Sequence, residues 1–109
     1  MPTAYKVLGQ SNPAATTATT LYTVPAATQT VLSTMTISTL TSASATFRIA
    51  IRPAGAALTN AHYIAYDVTI GGNDSIALTL GVTLNTTDVV TVYASTANVT
   101  FQAFGSEIS

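Results

Sequence analysis

The stretch His62-Tyr63-Ile64-Ala65-Tyr66-Asp67-Val68-Thr69-Ile70, followed by Gly71-Gly72-Asn73-Asp74 and then Ser75-Ile76-Ala77-Leu78-Thr79-Leu80-Gly81, decides the fold. Successive side chains of a strand point to opposite faces, so apolar residues at every second position mark a strand with one buried face. Ile64, Tyr66, Val68 and Ile70 form one such row, opposed by Tyr63, Ala65, Asp67 and Thr69. Ile76, Leu78 and Leu80 form a second row. Between them, Gly71 to Asp74 tolerate positive φ or bond to their own backbone, which predicts a hairpin loop joining two antiparallel strands.

The same alternation continues on both sides. Upstream, Phe47, Ile49 and Ile51 alternate with Thr46, Arg48, Ala50 and Arg52, which predicts a strand with the three apolar residues in the core and both arginines facing away. Pro53-Ala54-Gly55 fits a type I turn with Pro at its second position, and Ala56 to Ala61 reads as loop. Thr30 to Leu40 predicts a longer strand with Val31, Met35 and Ile37 inward and Thr34, Thr36 and Ser38 outward. Leu21 to Val24 is a short strand halted by Pro25, and Ala4 to Leu8 another, ended by Gly9. Gln10 to Thr20, polar and rich in Thr and Ala around Asn12-Pro13, reads as an extended arm or long connection, part of it lying across a neighbouring subunit or, in the competing account, folded back along its own sandwich by backbone hydrogen bonds to an edge strand. Downstream, Gly81 marks a bulge and Asn85 to Asp88 a turn. Val89–Ser95 and Val99–Phe104 are two further strands, joined by Thr96-Ala97-Asn98, and Gly105 to Ser109 is a tail. About eight strands with closely spaced turns and no long helical run predict one all-β domain over 1–109, an antiparallel two-sheet β-sandwich of plain or jelly-roll type.

Composition narrows the function classes. Only 6% of the 109 residues are charged, against about 25% in ordinary globular proteins. Threonine takes their place, with 22 residues beside 18 alanines; it is β-branched, favours strands and can face water. A net charge of −1 with three basic residues argues against nucleic acid or an anionic membrane as partner, since both call for a dense basic surface. So few charges give weak repulsion between copies, which favours self-association. There is no cysteine, hence no disulfide or thiolate site. Met1-Pro2-Thr3 does not start a signal peptide, and no apolar run approaches the ~20 residues of a membrane helix.

Candidate chemistry is sparse. His62 is the only histidine, too little for a zinc site by itself. Asp67, Asp74 and Asp88 could pair for acid–base work or bind calcium, but EF-hand spacing is missing, and Asp74 and Asp88 sit where turns use aspartate for local hydrogen bonds. His62, Asp67 and Ser75 could be drawn as a triad, without the Gly-x-Ser-x-Gly elbow that would support it. Asn73, Asn85 and Asn98 fit the glycosylation pattern, which a chain this rich in Ser and Thr produces by chance. Tyr5, Tyr22, Tyr63, Tyr66 and Tyr93 could line a sugar-binding face; the plainer expectation places them at the sheet–water boundary or in a subunit interface. The expectation is therefore a chain with no catalytic, cofactor-binding or metal site, not an enzyme.

Several phrases carry a resemblance. Leu21-Tyr22-Thr23-Val24-Pro25-Ala26 leads into Thr30-Val31-Leu32-Ser33. Phe47 to Gly55, Tyr63 to Val68 with Asn73-Asp74-Ser75, Leu80 to Leu84 with Asp88 to Ser95, and Phe104-Gly105-Ser106-Glu107-Ile108 follow in order. Together, from Tyr5 to Ile108, the chain resembles the small all-β structural proteins of tailed bacteriophage particles, cyanophages included. In that pattern an apolar or Pro-containing entry often precedes Asn-Asp, where this chain has Gly71-Gly72. The resemblance implies a virion component made in the host cytoplasm, most simply a capsid decoration (cement) protein on the outer surface of the head. Its partners would be its own copies, as a homotrimer, and the major capsid protein or other virion proteins. A tail, baseplate or fibre-attachment protein is the alternative in the same class, and a carbohydrate-binding module on the phage surface the alternative from another.

Overall fold

The computed structural model describes residues 3–109. Eight strands follow one another: β1 (Thr3–Ser11), β2 (Thr19–Thr23), β3 (Gln29–Thr39), β4 (Ala45–Arg52), β5 (Tyr63–Ile70), β6 (Ser75–Leu84), β7 (Val89–Ala94) and β8 (Val99–Ile108). They form two antiparallel four-stranded sheets, ordered β1-β8-β3-β6 and β2-β7-β4-β5. Every connection crosses from one sheet to the other except β4 to β5. That connectivity makes the β-sandwich a jelly roll.

The threonine-rich alternation builds this core as expected. Phe47 and Ile49 of β4, Val90 and Val92 of β7, Met35 and Ile37 of β3 and Phe101 of β8 are all sealed from solvent. Phe47 and Phe101 meet edge to face across the two sheets, their ring centroids 6.2 Å apart. Ile51 packs against the core but is only partly buried.

Three expectations change. The turn at Gly71 to Asp74 is not a hairpin, because β5 pairs with β4 and β6 with β3. It is a corner that carries the chain between sheets. Thr39 Oγ1 donates to the Gly71 carbonyl at 2.7 Å and accepts from the Asp74 amide at 3.0 Å, while the Asn73 amide donates to the Thr41 carbonyl. These bonds tie the corner to the end of β3, and thus direct β6 onto β3.

The second change is one of phase. Leu32, not Val31, is fully buried in β3, together with Thr30. An extra residue at Ser33 lets Leu32 and Thr34 oppose Gly105 and Phe104 of β8, so the inward row shifts by one. β1 carries an extra residue against Phe104 and Ala103 as well, and β6 carries one between Thr79 and Val82, where Gly81 has φ +64. The bulge expected at Gly81 is thus one of three that cross this sheet in line. β8 runs through them to Ile108, so the expected tail from Gly105 is strand.

The third concerns Gln10 to Thr20. Gln10 and Ser11 belong to β1, and Thr19 and Thr20 to β2. The connection between them is bound to its own sandwich: Asn12 Nδ2 donates to the carbonyls of Ala97 and Val99, and the Thr16 amide to the Ala94 carbonyl. The segment has little apolar content beyond buried Pro13 and is held by hydrogen bonds to its own sandwich, as in the fold-back account. The turn after β4 also differs, since Ala54 and Gly55 both have positive φ and the Ala56 amide donates to the Pro53 carbonyl. That is a type I′ geometry on Pro53–Ala56, with Pro53 one position earlier than in the type I expectation.

Candidate functional site

The edge strand β5 departs furthest from regular geometry. Phe47 and Ile49 of β4 are two apart, but their partners Val68 and Ala65 are three apart. Ile49 and Ala50 are adjacent, but their partners Ala65 and Tyr63 are two apart. Two extra residues therefore sit in β5, and Asp67 takes φ +50. The expected row Ile64-Tyr66-Val68-Ile70 is broken by these bulges. Ile70 is fully buried and Ala65 packs on the core, while Ile64 is 47% and Tyr66 54% exposed. Bulges on an edge strand block strand addition and re-aim side chains; here they turn apolar and aromatic groups outward.

Arg48, facing out from β4 as predicted, organises this surface. Its Nε donates to Asp67 Oδ1 at 2.6 Å and its Nη2 to Oδ2 at 3.3 Å. Its guanidinium carbon lies 4.2 Å from the centroid of the Tyr66 ring and 4.3 Å from that of Tyr93. A planar guanidinium suits both contacts at once, a fork for the carboxylate and two faces for the rings. The hydrogen bonds from Arg48 hold the Asp67 carboxyl below its ordinary range, and Asp67 raises the guanidinium in turn. Tyr63 stands nearly perpendicular to Tyr66, with centroids 4.9 Å apart and an interplanar angle of 81°. These two rings and Asn60 line an open cleft of about 420 Å³.

A second polar cluster joins the sheets. Tyr22 of β2 donates to Glu107 Oε2 of β8 at 2.5 Å and shares a 2.8 Å hydrogen bond with Thr30, and Lys6 of β1 reaches Glu107 Oε1 at 3.1 Å. Burial first, then the bond to Glu107, pushes the Tyr22 hydroxyl up to about 12. The Glu107 carboxyl is held low, chiefly by the hydrogen bond from Tyr22, with burial opposing and Lys6 assisting.

The other sequence candidates have separate structural partners. His62 Nδ1 accepts from the Thr59 amide at 3.2 Å, closing a capping box on a short 3-10 turn, Asn60–His62. Asp74 Oδ1 accepts from the Ser75 amide, and Asp88 accepts from the amides of Ala54 and Asn85. Ser75 opens β6 in one sheet while Asp67 lies in β5 of the other, so the drawn triad is divided between sheets. Of the five tyrosines, Tyr66 and Tyr93 flank Arg48 and Tyr63 packs on Tyr66, while Tyr22 is buried and Tyr5 is 85% exposed on β1. Among the described residues no three His, Cys, Asp or Glu side chains gather where a metal ion could be held, and no helix is long and apolar enough to cross a membrane. No family model matches the chain, and no curated protein matches it.

Proposed function

We propose that the protein is a non-enzymatic structural component of a tailed-phage virion, a decoration protein that binds the outside of the head shell as a homotrimer and bridges neighbouring capsomers. The observation that carries this reading is the outer edge of β1. The strand pairs only with β8, so its other edge lies open along the sheet. Its residues Thr3 to Val7 are all exposed, and Tyr5 and Val7 present apolar surface beside a groove that Phe104 and Ser33 also line. From Thr3 to Val7, ahead of the bulge at Leu8, the strand is regular and unpaired, so this part of the edge invites another chain, and backbone pairing plus apolar burial at about 25 cal/mol per Å² would hold it. A head-to-tail contact whose rotation closes after three copies gives the ring that a threefold position on a shell requires. The jelly roll is a frequent architecture of capsid domains, and the sequence resemblance runs from Tyr5 to Ile108.

The test is cryo-electron microscopy and peptide mass spectrometry of the tailed particles whose genome encodes the chain, with solution mass measured by light scattering. A three-copy sandwich density over the head is the expected result. Absence of the chain from purified particles would overturn the reading, as would finding it only on the tail. Tyr5→Asp on the exposed β1 edge should abolish head binding while leaving the thermal unfolding temperature unchanged.

A further inference from the structure

We infer that the corner formed by Tyr63, Tyr66 and Asn60 is a binding site for a neutral pyranose, presented as the terminal unit of a glycan. The inference does not depend on the virion reading, since the site lies on the outer face of the opposite sheet from β1. Two perpendicular rings pack edge to face with centroids 4.9 Å apart and line the cleft together. A pyranose needs such a surface, because its axial C–H groups pack on an aromatic face while its hydroxyls project toward polar groups. The side chains that line the cleft, two phenols and the Asn60 amide, carry donors and acceptors for hydroxyls. Its volume of about 420 Å³ falls in the range of about 300–1,000 Å³ usual for small-molecule sites.

The wall is also held in place before any ligand arrives. Tyr66 is gripped by Arg48, which is itself fixed by Asp67 and by the second ring, Tyr93. A preformed site loses less side-chain freedom on binding. The two bulges in β5 and the left-handed Asp67 are what place Tyr66 beside Arg48 rather than in the core. Such irregularity on an edge strand is a frequent mark of a functional surface. The charge of Arg48 is matched by Asp67, so this cation does not select an acidic sugar, which favours a neutral ligand. Among the described residues the cleft is lined by Asn60, Tyr63 and Tyr66 alone, the scale of a single sugar ring.

The experiment is a titration of the isotopically labelled full chain with methyl glycosides of glucose, galactose and mannose, and with sialic acid, followed by NMR chemical shifts. Saturable shifts centred on Tyr63, Tyr66 and Asn60 with at least one neutral glycoside are expected. Tyr66→Ala and Asn60→Ala should each weaken that binding by about tenfold. Asn60 lies in an exposed turn, so its variant reports on binding even if Tyr66→Ala disturbs the strand. Tyr5→Ala, on the other sheet, should bind as the parent does. No saturable shift with any neutral sugar up to about 0.1 M would overturn the proposal. So would binding confined to sialic acid, shifts that Asn60→Ala leaves intact, or a patch that self-associates and whose sugar response vanishes with dilution.

Discussion

Arg48 and Asp67 face each other across β4 and β5 in a two-pronged ion pair, and Asp67 makes its half from a left-handed backbone with φ +50. Aspartate is among the few residues that enter this region readily, because its short polar side chain bonds locally. The pair thus fixes the second bulge of β5 and the position of Tyr66 together. Asp67→Gly, which keeps the backbone and loses the carboxylate, should lower the melting temperature less than Asp67→Val, which loses both. Differential scanning calorimetry on the two variants checks this order. Equal losses would show that the bulge is set elsewhere.

The core was readable from the sequence where a strand stayed regular, and β4 is the clearest case. Ile49 is fully buried and Arg48 points away, as the period of two required. Ile49→Ala should therefore cost about 2–5 kcal/mol in urea unfolding. A cost below about 1 kcal/mol would mean that the space collapses far more completely than a packed sandwich allows.

What the alternation could not reveal was the bulges. Ser33 and Asp67 each shift the phase of a strand by one residue, and neither is distinguishable in sequence from an ordinary solvent-facing position. Gly81 could be anticipated because glycine points to positive φ. The corner at Gly71 to Asp74 is hidden for a related reason: a four-residue polar turn looks the same in sequence whether it returns to its own sheet or crosses to the other. Thr39, far away in sequence, decides the matter through its bonds to Gly71 and Asp74. The candidate site was only half legible. The tyrosines were visible as a set, but the placing of Tyr66 on Arg48, with Tyr63 beside it, depends on the same bulges.

Gly105 and Gly81 should behave differently although both flank the line of bulges. A Cβ on Gly105 would lie 2.0 Å from the Val31 carbonyl oxygen, a backbone atom that β3 holds in place. Gly105→Ala should therefore separate β3 from β8 locally. A Cβ on Gly81 meets nothing within 4 Å, so Gly81→Ala bears only the strain of its φ +64, about 1 kcal/mol. Hydrogen exchange should show faster amides in residues 29–32 for the first variant and little change there for the second. The reverse pattern would place the close contact at the wrong strand.

The Tyr22–Glu107 bond predicts the shape of the stability curve against pH. The folded state holds Glu107 below its ordinary value of about 4.3. Its contribution is complete above that value and is lost as pH falls through the lower folded pKa, because the unfolded chain then binds the proton more readily. Asp67, lowered by Arg48, adds to the same acid limb, so the loss is not due to Glu107 alone. Tyr22 works at the other end. Its hydroxyl, raised to about 12, stabilises the fold fully below the ordinary value of about 10 and loses that contribution as pH climbs through about 12. The curve should be flat between about pH 5 and 9 and fall on both sides. Glu107→Gln keeps the size of the side chain and removes its titration, so the acid limb should become shallower with the Asp67 part left over. Tyr22→Phe should remove its share of the alkaline limb and leave Lys6 paired with Glu107. Urea unfolding from pH 2.5 to 12 measures both limbs; an acid limb of unchanged slope in Glu107→Gln would show that this bond does not stabilise the fold.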